Sequence, residues 1–581
     1  MIQQIETRSA NLDAQQMETW SAKLDIRDLA ENYGTPLYVF NREQLTYNFD
    51  IYAGLLKSAG DVLYPVKTNP SMAVLETLAC KGSGVDCATE YEVFLSRLAG
   101  IPVYKISYYS PAPDICFAEK LLKAGASVVM DAPSHIQKLE ERLKDQPFLG
   151  KLFLRVNPGN LPSYSKQADY QRYTAHSSPQ SQFGIASENV VLCLQQTRLP
   201  VSGIHIHVGT QMDNLEIFER CLDFLHNLVD IIHEQTSHHI QILNLGGGLG
   251  LPGHEEEFYP SLKDFTKTLG KLMRDQFVYR LEPGNSLVGN TIGLLTRVVT
   301  KKTTRGRGWA IIDVGTNQLL KVTMAGFGQT VLDANNTPLP RTGTDRIAGP
   351  LCFAGDIILE QTDLTGVKEG DPLFLTHCGS YCSTISNRFN GYGAPGLLMI
   401  DGSKILGLAQ SHEDLSWTPE LLSSNFDLLS LSKPKSISEF EPVSIPIEKV
   451  YKMQSQYMKE QEHEDNYDFL SFEKIGSGIY DVNVDVRAQV SFISAPFAIR
   501  IAGDAAIAAT IQELGKENKD ISVWGNRLTL SLNGLLRANR VQKCRIRLSP
   551  IVDCLEGKRQ IIWANWSLGD GRFSGTIQIT V

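Results

Sequence analysis

The sequence predicts an α/β protein built around a parallel (β/α)8 barrel, and two observations support this fold class. Eight short apolar or β-branched runs recur between residues 60 and 300, and each ends in Gly, Pro, Asn or a charged residue. The segments between them have the periodicity of amphipathic helices, as in residues 71–82 and 215–234. Strands that alternate with helices in this way are typical of a closed barrel. An open doubly wound sheet is the runner-up, but the glycine-rich turn expected after its first strand is missing.

The eight runs give the expected strand order of the barrel. They are DVLYPVK (61–67), GVDCA (84–88), YKISYYS (104–110), SVVMDAP (127–133), KLFLRVNPG (151–159), VSGIHIHVG (201–209), QILNLGGG (241–248) and FVYRLEPG (277–284). A helix start is marked after the second run, where Thr89 is followed three residues later by Glu92. This pair has the spacing of a capping box, in which two side chains satisfy backbone N–H groups of the first helical turn.

The remaining regions have other sequence patterns, which predict further domains. After about residue 295, strand-like runs follow one another with Gly, Asp and Asn turns and little helix, which predicts an antiparallel β domain. Near the C-terminus, alternating runs predict mixed β structure with one helix near residues 503–515. The predicted organisation is residues 1–45 as a segment joining the β domain, 46–294 as the barrel, 295–430 as the β domain, 431–449 as a Ser- and Pro-rich linker, and 450–581 as a C-terminal domain of unknown role.

Composition excludes several classes of function. The chain has 581 residues, of which 42% are hydrophobic and 20% charged, and its formal net charge is −9. This charge argues against nucleic acid or an anionic membrane as the main partner, and no apolar run is long enough to span a bilayer. Ten cysteines without paired short spacings predict no disulfide framework, and Cys378 and Cys382 lack the second pair that a zinc site needs. We therefore expect a reduced, cytoplasmic protein without a metal.

Polar residues stand at the ends of the predicted barrel strands, where the active site of such a barrel lies. Taken singly, each has an ordinary explanation: Lys67 can extend its ammonium into water, and His207 can be a hydrogen-bonded core histidine. Taken together, they would converge on one rim of the barrel. The set comprises Lys67, Asp86, Arg155, His207, Gly246, Gly247, Gly248 and Glu282.

The chemistry of this set suits an aldehyde cofactor with a phosphate tail. An amine can form an imine with the aldehyde, and glycines let backbone N–H groups approach a phosphate. A carboxylate can hold a pyridine nitrogen protonated, which makes the ring an electron sink, and an imidazole can stack on the ring face. The residues therefore indicate a site for such a cofactor.

Nine motifs in fixed order carry a family resemblance. They are YPVKTNP, GVDCATEYE, LRVNPG, SQFGI, HIHVGTQ, LNLGGGLG, LEPGN, GPLCFAGD and HCGSYCSTISNRFNG. On these motifs the chain from about residue 25 to 420 resembles the fold type III, alanine-racemase-like pyridoxal phosphate decarboxylases, the family of diaminopimelate and ornithine decarboxylases. The resemblance implies pyridoxal 5′-phosphate as the cofactor and leaves the last 150 residues or so unassigned.

The resemblance also implies roles for matched residues. Lys67 would hold the cofactor aldehyde, His207 would stack on its ring and Glu282 would bind its pyridine nitrogen. Cys352 would enter the site from a second subunit and return a proton to Cα after CO2 leaves, which implies a homodimer with two shared sites. The cofactor pocket would also include Asp86, Arg155, Thr210, Gly246, Gly247, Gly248, Pro283, Gly284, Asn285 and Tyr381, and the substrate would meet Cys352, Phe353, Asp356 and Tyr381.

The sequence departs from the family pattern at three positions. Asn285 stands where relatives commonly have an arginine, and Gln182 stands where they commonly have a lysine, so positive charge near the phosphate is reduced. Phe353 replaces the carboxylate that reads the distal end of diaminopimelate or ornithine, and a phenyl ring cannot pair with an ammonium in that way. Asp356, three residues on, is a candidate substitute.

The expected function is therefore decarboxylation of a small-molecule amino acid or amino-acid conjugate. A siderophore-type conjugate without a free distal ammonium would suit Phe353. Two alternatives stay open at this point. One is an amino acid racemase, although the related alanine racemases resemble a design with arginine in place of Glu282. The other is a non-catalytic homologue that acts as a binding or regulatory protein.

Overall fold

The computed structural model describes most of the barrel and β regions and part of the C-terminal region. The described residues are 20–159, 161, 176–253, 257–321, 329–402, 404–409, 443–444, 466–476, 478–487, 495–515, 524–532, 540–549, 552–554, 559–569 and 573–580. The chain forms two compact units, residues 1–96 with 103–407 and residues 97–102 with 408–581. Within the described segments, no helix combines the length and apolar character needed to cross a membrane.

Eight parallel strands form the predicted barrel. They are Leu63–Pro65, Gly84–Cys87, Ile106–Tyr109, Ser127–Met130, Lys151–Asn157, Val201–His205, Ile242–Asn244 and Val278–Arg280. Each pairs in parallel with its sequence neighbours, and a bridge between Val62 and Leu281 joins the last strand to the first. The closure uses backbone hydrogen bonds from Leu63 N–H to Leu281 O (2.8 Å) and from Leu281 N–H to Asp61 O (3.1 Å). The (β/α)8 prediction is confirmed.

Helices connect the barrel strands and pack around them. They are Met72–Cys80, Glu90–Leu98, Ile115–Lys123, Pro133–Leu143, Val190–Gln195, Glu216–Gln235 and Leu262–Leu272, with a short helix Asn285–Val288 after the last strand. The helix from Glu90 begins at the predicted capping box, because Glu92 N–H donates to Thr89 Oγ1 (3.1 Å). The Glu92 carboxylate accepts from Ala88 N–H (2.6 Å), so the first turn is satisfied from both sides.

A nine-stranded sheet lies beside the barrel in the same unit. Its strands are Leu37–Asn41, Ile292–Thr304, Arg307–Ile312, Val331–Leu332, Asp345–Ala348, Ile357–Thr362, Pro372–Leu375, Gly396–Asp401 and Lys404–Ala409. Helices Ile26–Tyr33 and Arg42–Leu55 flank the first strand. Most pairs are antiparallel, but the first strand pairs in parallel with Gly396–Asp401, and Arg307–Ile312 pairs in parallel with Asp345–Ala348. Strands so distant in sequence are not joined by a hairpin, so they can pair in either the parallel or the antiparallel direction.

The described residues of the C-terminal unit form an antiparallel sheet and one long helix. Its strands, in sheet order, are Val443–Ser444, Asn466–Gly476, Ile479–Arg487, Arg540–Leu548, Arg559–Leu568, Phe573–Thr580 and Trp524–Leu532, and Val552–Cys554 pairs with Arg559–Leu568. The helix Ala495–Glu513 begins earlier than predicted, and its alanines pack into the apolar core of the sheet. Apart from Val443–Ser444, the predicted linker lies outside the described residues.

Candidate active site

Lys67 lies directly after the first barrel strand, in the 3-10 turn Val66–Thr68. Its Nζ is 3.3 Å from Oδ2 of Asp86, a buried residue of the second strand. Part of the Lys67 side chain is exposed, but its amine lies in a desolvated environment. Desolvation disfavours the ammonium, but the negative charges of Asp86 and Glu282 outweigh it and raise the pKa of Lys67 above its usual range.

Burial and neighbouring charges also set the pKa of Asp86. Burial and the neighbouring Glu282 carboxylate raise the pKa of Asp86, and Lys67 opposes them, so that the pKa lies at about 7. The Oδ1 atom of Asp86 is buried and has no hydrogen-bond partner among the described residues. Asp86 can therefore exchange a proton near neutral pH, beside the Lys67 amine.

Glu282, after the eighth strand, is a carboxylate held in its ionised form. Its Oε1 accepts from Asn244 Nδ2 (2.7 Å), and its Oε2 lies 3.2 Å from His205 Nε2. Burial would raise the pKa of Glu282, but His205, Lys67 and Asn244 lower it to about 2. The sequence did not indicate His205 and Asn244 as site residues, although each is the last residue of a barrel strand.

His207 lies two residues beyond the sixth strand, and its ring is fixed from two sides. Its Nδ1 accepts from Gly247 N–H (3.2 Å), so the proton of the neutral ring is on Nε2. The ring of His176 packs against it with centroids 4.8 Å apart. Burial, His176 and Arg155 hold the pKa of His207 well below its usual range, so the ring is neutral.

Arg155, in the fifth strand, is held by aromatic faces. Its guanidinium carbon lies 4.4 Å from the centroid of Tyr109 and 4.7 Å from that of Phe183. Its Nη2 donates to the backbone oxygen of His207 at 3.5 Å, a long hydrogen bond. Arg155 therefore ties the fifth strand to the loop that carries His207 and brings positive charge to the same rim. Gln182, next to Phe183, is exposed.

The glycine loop after the seventh strand passes through a space that admits no side chain. Gly246 and Gly248 have φ values of +66° and +125°, which favour glycine. A Cβ at Gly247 would lie 2.0 Å from the backbone oxygen of Glu282. The N–H groups of Gly246 and Gly247 donate to Asn244 Oδ1 (2.9 Å) and His207 Nδ1, so both have partners within the protein.

Asn285 helps to line a cavity next to this loop. Its Nδ2 donates to Thr210 Oγ1 (3.3 Å) and to Gln211 Oε1 (3.0 Å). Counted together with the open solvent at its mouth, the cavity has a volume of about 420 Å³. It is lined by Gln211, Leu251, Pro252, Gly253, Glu257, Asn285, Gly289, Lys321, His377, Ser380 and Tyr381. Lys321, which the sequence did not indicate, lines the same cavity as Asn285. No spacing signal in the sequence singles it out.

Tyr381 and Gly284 both contact the turn that carries Lys67. Tyr381 N–H donates to Thr68 O (3.0 Å), and the backbone of Tyr381 is left-handed, with φ of +52°. A Cβ at Gly284 would lie 2.8 Å from Thr68 Oγ1, so the buried Pro283–Gly284 pair fits closely there. These contacts connect the end of the eighth strand and the loop of the β sheet to Lys67.

Cys352 and Phe353 lie in an exposed loop of the β sheet. The predicted substrate role of Asp356 is not supported, because its carboxylate is buried and engaged within the protein. Its Oδ1 accepts from Thr316 N–H (2.7 Å) and Thr316 Oγ1 (2.9 Å), and its Oδ2 accepts from Leu351 N–H (2.8 Å). Asp356 thus holds the base of the loop that presents Cys352.

Comparison with known proteins agrees with this geometry. Residues 43–289 match the pyridoxal binding domain of pyridoxal-dependent decarboxylases. The diaminopimelate decarboxylase of Methanothermobacter thermautotrophicus is 28% identical over 398 residues, which are 66% of this chain and 90% of that protein. That of Vibrio cholerae is 28% identical over 408 residues, 68% of this chain and 94% of its own.

Solved structures of related proteins have the same fold. Diaminopimelate decarboxylase from Methanocaldococcus jannaschii superposes with a TM-score of 0.58 at 25% identity, covering 66% of this chain and 91% of its own. The enzyme from Helicobacter pylori in complex with L-lysine superposes with a TM-score of 0.57 at 21% identity, covering 68% of this chain and 99% of its own. Residues 43–289 match the model of the pyridoxal-dependent decarboxylases, and the relatives above are diaminopimelate decarboxylases. By these matches the protein is a pyridoxal-dependent carboxy-lyase, and its cofactor is pyridoxal 5′-phosphate.

The residues present fit that cofactor. Lys67 offers an amine for the aldehyde, and Glu282 offers an ionised carboxylate for the pyridine nitrogen. Two buried polar atoms of the same rim, Asp86 Oδ1 and His205 Nδ1, have no hydrogen-bond partner among the described residues. Buried polar atoms of native proteins usually have partners, so these atoms are consistent with a rim completed by a polar ligand.

Proposed function

We propose that the protein removes the α-carboxylate of an amino acid or of an amino-acid conjugate as CO2. The observation that carries the proposal is the convergence of Lys67, Asp86 and Glu282 on one rim, with an amine 3.3 Å from a carboxylate that titrates near neutral pH. When bound, pyridoxal 5′-phosphate supplies an electron sink for the bond that breaks. Lys67 would hold its aldehyde end, and Thr210, Asn285, Lys321 and Tyr381 would surround its phosphate.

The protein's own residues prepare this chemistry. Asp86 forms an ion pair with the Lys67 ammonium (3.3 Å) and so fixes the amine at the rim where the cofactor aldehyde would be held. Glu282 stays ionised because His205 and Asn244 bind it, and an anion there favours a protonated pyridine nitrogen. Neutral His207 presents a flat face and carries no charge that would compete with that proton.

Glu282 also favours decarboxylation over the racemase alternative. A carboxylate partner keeps positive charge on the pyridine nitrogen and deepens the electron sink, whereas an arginine there would weaken it. The non-catalytic alternative predicts a protein that binds no cofactor covalently. Lys67→Ala should abolish the visible absorbance that appears when cofactor is added to the wild-type protein. A wild-type protein that stays colourless would support the non-catalytic alternative.

The exposed loop of Cys352 supports a homodimer with shared sites. Cys352 is exposed, and its neighbours Phe353 and Phe389 are also exposed, 54% and 48%, with ring centroids 6.4 Å apart. An exposed aromatic pair is typical of an interface. We propose that this loop enters the site of a second copy, where Cys352 returns a proton to Cα.

Mixed dimers test this arrangement. Lys67→Ala and Cys352→Ala are each expected to be nearly inactive, whereas equal amounts refolded together should regain about a quarter of wild-type activity, because half of the dimers then have one intact site. Activity that stays at the level of the separate variants would contradict shared sites. Light scattering of the wild-type protein gives the oligomeric state independently.

Phe353 suggests a substrate without a free distal ammonium. If the loop enters the partner's site, a phenyl ring meets the distal end of the substrate where a carboxylate would otherwise bind an ammonium. A citrate–amino-acid conjugate of the siderophore type satisfies this condition, because its distal nitrogen is acylated. We therefore rank such conjugates above free diaminopimelate, ornithine and lysine.

The substrate is decided by CO2 release from four compounds: meso-diaminopimelate, L-ornithine, L-lysine and a citryl-diaminopropionate. Efficient turnover of free diaminopimelate by the wild-type protein would exclude the conjugate hypothesis. Phe353→Glu should raise kcat/KM for diaminopimelate at least about tenfold, since one charge pair in a desolvated site is worth about 1.4 kcal/mol or more. Phe353→Leu is the matched control and should give no such gain.

A further inference from the structure

The guanidinium of Arg155 is buried at the rim and is held mainly by aromatic faces. Only 4% of the residue is exposed, and the guanidinium carbon lies 4.4 Å from the ring centroid of Tyr109 and 4.7 Å from that of Phe183. Its Nη2 donates to the backbone oxygen of His207 at 3.5 Å, a long hydrogen bond, and no carboxylate of the described residues pairs with it. A buried cation without an anion is costly, so this guanidinium is suited to an anionic oxygen of a ligand.

Asp131 anchors both of these aromatic residues with one oxygen atom. It is buried and directly follows the fourth barrel strand. Its Oδ1 accepts from Tyr109 OH (2.9 Å) and from the N–H of Gly184 (2.9 Å), the residue next to Phe183. The first hydrogen bond fixes the end of the tyrosine ring, and the second fixes the backbone that carries the phenylalanine. The two faces that enclose Arg155 therefore share one acceptor.

Backbone pairing places Phe183 beside the fifth strand. The short strand Ile185–Ala186 pairs in parallel with the end of the fifth barrel strand, directly after Arg155. Gly184 has a φ of +82°, and a Cβ there would lie 2.8 Å from Asn157 N, so glycine permits this close approach. The residues before the short strand consequently lie against the Arg155 side chain, within reach of the carboxylate.

We propose that Asp131 is a positioning residue of the active site, which holds Arg155 in place through Tyr109 and Phe183. Held in this way, the guanidinium is available to an anionic oxygen of pyridoxal 5′-phosphate. Asp131 acts as a hydrogen-bond acceptor and not as the counter-ion of Arg155, because these two described side chains form no ion pair. The inference rests on the proposed function, which puts the cofactor at the rim of Lys67.

Tyr109→Phe tests this anchor with the smallest change. It keeps the ring over Arg155 and removes the hydroxyl that binds Asp131. The ring and the guanidinium then lose their fixed position. The dissociation constant for pyridoxal 5′-phosphate, measured by absorbance titration, should rise about tenfold, as expected for one hydrogen bond to a charged group. Wild-type affinity in this variant would overturn the proposal.

Tyr467→Phe is the matched control. It removes the same kind of hydrogen bond, from a tyrosine hydroxyl to the buried Asp504, in the C-terminal unit. Both variants should lower the urea midpoint, but Tyr467→Phe should leave the affinity for the cofactor within about twofold of wild type, since distant sites act independently. An equal loss of affinity in the control would assign the effect to general destabilisation and would contradict a positioning role.

Asp131→Asn separates hydrogen bonding from charge. Its amide oxygen can still accept from Tyr109 and Gly184, so cofactor affinity should stay within about threefold of wild type, whereas Asp131→Ala should lose at least about tenfold. An Asp131→Asn variant as weak as Tyr109→Phe would assign the effect to charge and so refute the acceptor role. The comparison of these two variants is decisive even if Asp131→Ala does not fold.

A double-mutant cycle shows whether the effect passes through Arg155. Arg155→Gln should itself weaken cofactor binding, and adding Tyr109→Phe to it should cause less than about a twofold further loss. A further loss as large as in the wild-type background would exclude action through Arg155. Because cofactor binding is measured without CO2 release, a wild-type protein that binds the cofactor but releases no CO2 would refute the decarboxylase proposal alone.

Discussion

Gly247→Ala perturbs the site through backbone contacts alone. The new Cβ would lie 2.0 Å from the Glu282 oxygen, and Cβ contacts below 3.0 Å essentially never occur, so the two strand ends must separate by about 1 Å. Both atoms nearest to the Cβ are backbone atoms of Glu282, and no side chain can rotate away. The same shift lengthens the hydrogen bond from Gly247 N–H to His207.

The expected magnitude follows from these two effects. Overpacking costs about 1–3 kcal/mol and a lost buried hydrogen bond about 0.5–1.5 kcal/mol, so the free energy of unfolding should fall by about 2–4 kcal/mol. A displacement of about 1 Å of Glu282 should lower kcat/KM about 100-fold. Urea titration of the cofactor-free protein and CO2 release with the best substrate measure the two quantities.

A matched glycine provides the control. Gly54 is exposed in the helix Arg42–Leu55, and a Cβ there meets nothing within 4 Å. Gly54→Ala should therefore raise the free energy of unfolding by about 0.5–1 kcal/mol and leave kcat/KM unchanged. If Gly247→Ala behaves like this control, the close approach of the glycine loop to Glu282 does not organise the site.

Three further predictions concern stability. The pKa of Asp86 is about 7 in the folded protein against an ordinary value of 3.8. Protonated Asp86 therefore contributes its full stabilisation of the fold below pH 4, and this contribution is lost as the pH rises to 7. Compared with Asp86→Asn in urea titrations, the loss should reach at most about 4 kcal/mol. Asp356→Ala should lower the free energy of unfolding by about 3–5 kcal/mol because three donors lose their acceptor, whereas a substrate-reading role would change KM alone. Tyr467→Phe removes a 2.5 Å hydrogen bond to buried Asp504 and should cost about 1.5–3 kcal/mol; an unchanged urea midpoint would contradict this.

The barrel was predictable because each of its strands is buried on both faces and followed by a turn. Such strands appear as short apolar runs that end in glycine, proline or a polar residue, and the active site of a barrel lies at those ends. Lys67, Asp86 and Glu282 could therefore be found by reading the polar residues in the last part of each run. The β sheet was less predictable, since its two parallel pairs join strands separated by long stretches of chain.

Other features depend on where the chain folds back. Asp356 follows Phe353 by three residues, which suggested a substrate contact, but Gly349 N–H binds Asp356 O (3.0 Å) and turns the carboxylate into the loop. Lys321 reaches the cavity from a position three residues beyond the 3-10 turn Thr316–Gln318, and no periodic pattern marks this position. The glycines at 246 and 247 also use their N–H groups within the protein, which a sequence motif cannot reveal.

The two carboxylates of the rim differ because of their partners. Glu282 has two donors, His205 and Asn244, and stays ionised, whereas Asp86 has Lys67 on one oxygen and no described hydrogen-bond partner on the other. Environments that push two pKa values apart assign the groups to different tasks. Glu282 is therefore the fixed charge, and Asp86 is the titrating ion-pair partner that positions Lys67. Asn244→Ala, which removes a donor from Glu282, should consequently shift the acid limb of the pH profile of kcat/KM to higher pH. An unchanged profile would refute this division of roles.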